Sequence, residues 1–262
     1  MPRVRWVVRI FYAVLAKHER EVKSRKRRGV KRRMPEHLVH TKRMALALGG
    51  IATFWGANQM LLTRTYHVYD LAKDLAIVTD ASPWGVGAVL VHLTTGKVLE
   101  AIESALTPQD EDELGLKIGD PAGQGIVERL AFWVALKKWI RYFAHRRRIP
   151  MLRADSMAAL GAARKYASPT PSMNHLGGEL GLLLEIHDVP EPVSAHLPGK
   201  LNDAADFLSR YHAPTIPPPP PSMLGVTPKS ILRGGDGWKY LLPTASQRPD
   251  LWVGGDASSD EE

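Results

Sequence analysis

The segment HLPGKLNDAADFLSR, from His196 to Arg210, leaves its part of the chain few local choices. Gly199 permits a tight turn, Asn202 or Asp203 can cap a helix, and Asp206 then lies one turn inside it. His196 reads as a loop residue ahead of the turn. An imidazole and a carboxylate are thereby set on neighbouring elements, an arrangement suited to proton handling beside a metal-held phosphate. A cap, a solvated helical acid and a loop histidine would account for the same residues without any chemistry. What decides between the two is whether partner carboxylates exist.

They occur in an ordered series. Asp80 ends the run LAIVTD, in which Leu75, Ile77 and Thr79 alternate with Ala76, Val78 and Asp80, the period of two that a strand requires. Asp155 ends a second strand-like run, IPMLRAD, directly before an alanine-rich helical segment. Glu128 lies in GQGIVERLAFWVALKKWIRYF, apolar on most faces and therefore expected to be a helix packed against a sheet. Steps of three and four from Glu128 reach Ala131, Phe132 and Ala135, so its carboxylate shares a side with core residues rather than with Lys137 and Lys138. A buried carboxylate without a partner costs several kcal/mol or gives up its charge. A metal ion is one remedy, and a position near the helix N-terminus, favoured by the dipole, is another.

Four motifs now stand in order: TDASPWGVGAVL at 79–90, the helical Glu128, RADS at 153–156, and the segment 196–210. Residues from about 74 to 212 resemble in these motifs the type 1 ribonuclease H domain of retroelement reverse transcriptases, of the kind found in long-terminal-repeat and related retrotransposons. Each motif alone is weak, and Gly85-Val-Gly87 lacks the third glycine of a dinucleotide-binding fingerprint.

The resemblance implies an α/β fold, a ribonuclease H-like mixed five-stranded sheet flanked by helices. It also implies that Asp80, Glu128, Asp155 and Asp206 bind two divalent ions at one end of the sheet. By that analogy Asp80 bridges both ions, Asp206 helps hold the one that activates water, and Glu128 and Asp155 hold the one on the leaving 3′-oxygen. His196 then assists proton transfer or product release. Hard oxygen donors without cysteine or clustered histidine suit Mg2+ or Mn2+ on chemical grounds as well. The implied reaction is endonucleolytic hydrolysis of the RNA strand of an RNA–DNA hybrid, with strand choice by groove shape and 2′-hydroxyl contacts. Ser82, Ser156 and Asn174 are candidate backbone contacts, each with an equal claim to be a turn or cap residue.

Composition is compatible with this reading and excludes others. At 262 residues, 44% hydrophobic and 24% charged, the chain can bury a full core in one domain with appendages. The absence of cysteine rules out disulfides and thiolate zinc sites. The net charge of +8 is unevenly placed, with 16 Lys+Arg against 4 Asp+Glu in residues 1–70 and a small acidic excess everywhere after. Its focus is KSRKRRGVKRR at 23–33, which suits binding to a nucleic acid backbone or nuclear import, and equally a solvated charged arm. Lys137, Lys138, Arg141 and Arg146 to Arg148 form a smaller cluster at the end of the Glu128 helix, better placed to hold a hybrid.

Three regions are expected. Residues 1–70 form a basic helical extension resembling the connection between polymerase and ribonuclease H domains. Its apolar stretches are too short or too interrupted by Arg9, Asn58 and Gln59 for a membrane span. Residues 71–212 form the ribonuclease H-like domain. Residues 213–262, proline-rich and then acidic, are expected to be a disordered tail, in which Trp238, Tyr240, Leu241 and Leu242 could make a docking strip. The stretch 105–123 reads as a long loop, with Asp110 to Glu113 a solvated turn. No YxDD-like polymerase motif is present, as in a fragment that has lost its polymerase. Other readings stay open: a catalytically silent or domesticated nucleic-acid-binding protein, an interaction role for the arm and tail, or a transposase or integrase nuclease. The last would need neither Glu128 on its helix nor the pattern from Asn202 to Arg210.

Overall fold

The structure, a computed structural model, describes residues 70–144, 148–155, 160, 170–234 and 237–242. The basic N-terminal extension and the acidic end of the tail lie outside the described residues.

Alternation in LAIVTD does produce a strand, β1 (Asp70–Ser82), and it is the hub of the sheet. It pairs antiparallel with β2 (Gly85–His92), which pairs antiparallel with β3 (Val98–Ala105). On its other side β1 runs parallel to β4 (Arg148–Ala154), itself parallel to β5 (Val193–His196). Spatial order is thus β5-β4-β1-β2-β3, extended by a two-residue strand β6 (Lys229–Ser230) parallel to β3. Parallel neighbours need crossover connections, and helices supply them. These are α2 (Gln124–Trp139), preceded by the short α1 (Pro108–Leu114), then α3 (Pro171–Ile186), and finally α4 (Asp203–Ser209) after β5.

The period of two sorts side chains to two faces. Ile77, Ala88, Leu90 and Ile102 face α2 and α3 and build the larger core. Val78, Val89 and Ala101, aligned across three strands, face α4 and pack on Ala204, Ala205, Phe207 and Leu208. Asp80 has the parity of Val78, so it belongs to the α4 face.

Two expectations fail here for related reasons. Among the described residues the sheet has six strands rather than five, and residues 213–234 and 237–242 are not the disordered tail expected. Ile231 and Trp238 are buried in the larger core, and Leu242 is buried as well. The strip of aromatic residues docks onto its own chain. Trp133 of α2 meets Trp238 edge-on at 5.5 Å and Tyr240 at 5.3 Å between ring centroids. This accounts for a helix that is apolar all round, because a helix covered on every side has no face left for water. Arg233 secures the strap by pairing with Asp110 at 2.6 Å and with Glu113. The expected solvated turn at 110–113 is therefore wrong too: Asp110 and Glu113 are buried in α1, and Asp110 also accepts from the Thr107 amide at 2.8 Å as a helix cap.

Candidate active site

Asp80 is set by its strand. Two residues before the end of β1, its backbone is paired to Gly87 of β2, which is paired in turn to Glu103 of β3. Gly87 is a glycine because α4 lies directly on it. A Cβ there would fall 2.5 Å from the Ala205 carbonyl oxygen and against the Ser209 amide. That close approach lowers the C-terminal half of the segment 196–210 onto the carboxylate of Asp80.

β4 brings the second acid. Val78 is in register with Arg153, so Asp155, the residue after the strand, comes level with Asp80 on the neighbouring parallel strand. Asp155 is exposed. A Cβ on Gly199 would lie 3.6 Å from its Oδ2, so the turn before α4 passes close over this carboxylate. His196 is not on a loop as expected; it is the last residue of β5, paired with Ala154 and exposed beside Asp155.

Asp206 arrives on the first turns of α4. Its Oδ1 accepts from Arg210 Nε and Nη2, both at 2.8 Å, an exposed pair one helical turn apart. Asp203 accepts from Ala204 N at 2.7 Å and from Ser222 at 3.0 Å, so it is occupied in holding the helix start and the tail. Asn202 precedes the helix but does not cap it with its side chain. It is buried, and its amide nitrogen lies 3.4 Å from the Thr79 carbonyl and 3.5 Å from Asp80 Oδ1.

Glu128 comes from the opposite layer. It is half-buried on α2, one turn after Gln124, whose amide donates to the Ala81 carbonyl at 2.6 Å. Residues four apart share a helix face, so Glu128 is on the side of α2 that meets the end of β1.

Electrostatics tie three of the four acids together. Burial pushes the Asp80 carboxyl up to about 7 from its ordinary 3.8, a hydrogen bond from Ser209 pulls it down, and the charges of Asp155 and Asp206 push it up again. Like charges crowded at a partly dry site are what a divalent cation relieves. The donors fit a hard ion by type. They are carboxylate oxygens, joined by the Asn202 side-chain oxygen, which is buried without a hydrogen-bond partner among the described residues. As they stand, no three acid or histidine side chains among the described residues are gathered closely enough to hold a metal ion. The pairing of Asp206 with Arg210 is one contact that such an ion would have to replace.

Several contacts go beyond the motif reading. Ser209 donates to Asp80 Oδ2 at 2.8 Å, and Ser82 donates to the Ser209 carbonyl at 2.5 Å. Both serines are buried, so Ser82, expected as a candidate backbone contact, serves the interior instead. Asn174 is buried in α3 as well, while Ser156 lies outside the described residues. The basic cluster also divides. Lys137 donates to the Lys239 carbonyl at 2.6 Å and holds the strap, Arg141 is exposed beside Glu100, and Arg146 and Arg147 lie outside the described residues.

The described residues form a mixed α/β sheet, three antiparallel strands followed by two parallel ones on the far side of β1, with helices on both faces. No protein-family model matches the chain, and no curated protein matches it either. Among solved structures the chain is similar to LC11-RNase H1, isolated from compost by a metagenomic approach, with 17% identity over 53% of this chain and 95% of that one and a TM-score of 0.42. The same enzyme in complex with an RNA/DNA hybrid gives 18% identity over 51% and 92%, with a TM-score of 0.41. RNase H1 from the halophilic archaeon Halobacterium salinarum NRC-1 gives 17% over 51% and 92%, with a TM-score of 0.37. These are loose superpositions. Among the described residues no helix is long and apolar enough to cross a membrane.

Proposed function

We propose that this chain is a retroelement-derived, metal-dependent ribonuclease that cuts the RNA strand of RNA–DNA hybrids. The observation that carries the reading is the electrostatic convergence of Asp80, Asp155 and Asp206 at the sheet end where β1, β4 and α4 meet. A structural acid has no reason to sit half-buried among like charges, since that arrangement destabilises the protein alone. Carboxylates perturbed by burial and by like charges at one place are candidates for a functional site.

Asp80, Glu128, Asp155 and Asp206 would hold two divalent ions, Mg2+ or Mn2+. When bound, these supply Lewis acidity at the phosphate and an activated water for in-line displacement. The chain's own residues do the rest. β1 and β4 fix Asp80 and Asp155 on rigid backbone, α4 carries Asp206, and α2 brings Glu128 from the other layer. His196, exposed at the end of β5, would assist proton transfer or product release. The basic arm at 23–33 adds affinity for the nucleic acid backbone without base readout.

The test is cleavage of labelled RNA–DNA hybrid by the purified protein with Mg2+ or Mn2+, against matched double-stranded RNA and double-stranded DNA. Cleavage confined to the RNA strand of the hybrid, leaving 5′-phosphate and 3′-hydroxyl ends, is the expected result. A second reading, a silent nucleic-acid-binding protein, is favoured by the Arg210–Asp206 pair, which occupies one acid internally. Hybrid binding without cleavage under either metal would select it.

A further inference from the structure

Asp80 is the most buried of the three coupled acids, and a carboxylate on a strand still has freedom about its side-chain bonds. What removes that freedom is Ser209, which lies within the segment 196–210 but to which the motif reading gives no role. The Ser209 hydroxyl stands 2.8 Å from Asp80 Oδ2 and 2.9 Å from the backbone carbonyl of Asp206. A hydroxyl has a single proton to give, and an ionised carboxylate is the stronger acceptor of the two. Ser209 itself cannot move away. Its side chain is fully buried, its amide lies against Gly87, and its carbonyl is gripped by Ser82.

We infer that Ser209 is a positioning residue for Asp80: it holds Oδ2 from the α4 side and so fixes Oδ1 on the side of the Asn202 amide, with Ser82 fixing Ser209 in turn. The inference rests on the hybrid-nuclease reading and adds to it a device joining the end of α4 to β1. Hydrogen-bonded partners that orient a ligating carboxylate commonly change metal affinity by about 10–100-fold when removed.

The experiment compares wild type with Ser209→Ala, and with Ser222→Ala as a control that loses a surface hydroxyl bonded to Asp203 instead. Mn2+ binding is measured by calorimetry on the full chain without nucleic acid, and kcat and KM are measured on hybrid. Ser209→Ala is expected to weaken Mn2+ binding about tenfold and lower kcat about tenfold, with KM for hybrid unchanged. Ser222→Ala should match wild type in both. If Ser209→Ala binds Mn2+ and turns over like wild type, the strand alone positions Asp80 and the inference is overturned. It is also overturned if kcat and KM change together with a collapse of the thermal transition, because Ser209 is then only structural. Should wild type bind Mn2+ yet cut no hybrid, the nuclease reading fails while calorimetry still decides the role of Ser209. A wild type that binds no Mn2+ removes both.

Discussion

Replacing Asp80 by asparagine should stabilise the metal-free protein at pH 8 while abolishing cleavage. The ordinary carboxyl value is 3.8, and in the folded chain it is raised to about 7, first by burial and then, against the pull of Ser209, by Asp155 and Asp206. A raised acid is protonated in both states below about pH 3.8, where it costs nothing. Between about pH 3.8 and 7 the unfolded state gives up its proton while the folded state keeps it, so stability falls across that window and levels off above it. A difference of about 3 pH units is worth about 4 kcal/mol at pH 8. An amide at this position still has a polar group to bury, so the expected gain for Asp80→Asn is about 2–4 kcal/mol at pH 8. At pH 5 the gain shrinks to about 1–2 kcal/mol, because only part of the window between 3.8 and 7 has then been crossed. For a folded unit of this size that is a rise in Tm of roughly 5–15 °C at pH 8. The assay is calorimetric unfolding of both proteins at pH 5 and pH 8, with and without Mn2+. Wild type should gain stability from Mn2+ at pH 8, and the variant should gain far less. A variant that is less stable than wild type at pH 8, or whose advantage does not depend on pH, would refute the reasoning.

Arg233→Ala should cost about 3–5 kcal/mol, because it leaves Asp110 and Glu113 buried without their cation; Arg233→Met combined with Asp110→Asn and Glu113→Gln should recover most of that, as read by urea unfolding. Asp206→Asn should abolish hybrid cleavage with the fold intact, whereas Asp203→Asn should retain activity and lose about 1 kcal/mol or less; equal loss of activity in both would overturn the assignment of Asp206. Gly87→Ala should displace α4 and lower both Tm and activity, and a crystal structure with α4 unmoved would contradict the close approach argued for this position.

Much of the sheet was legible because strand alternation is a local property. The runs around Asp80 and Asp155 are short and periodic, and their acids come at or near the strand ends. The strap was not legible. Residues 213–221 are rich in proline, which signals extended chain, and extended chain looks alike whether it is solvated or packed. The signal that could have found it was α2: a helix with Trp133, Leu136 and Trp139 distributed around it needs cover on every side, and the sheet and α3 provide only part of that. The buried pair Asp110 and Glu113 was hidden for a similar reason. Nothing near them in sequence hints at a cation more than a hundred residues away.

By itself the sequence determined that β1 would be a strand, that residues 203–209 would be a helix, and which four acids and one histidine are candidates, since periodicity, capping and motif order are written along the chain. Only the tertiary structure decided what surrounds them. Asn202, an ideal cap in sequence, turns its amide toward Asp80; Ser209, an ordinary end to a helix, becomes the donor to that acid; Arg233 becomes the partner of two buried carboxylates. The physical reason is that a side chain's hydrogen-bond partner is chosen by what remains buried and unsatisfied once the layers close, and closure brings together residues that sequence keeps far apart.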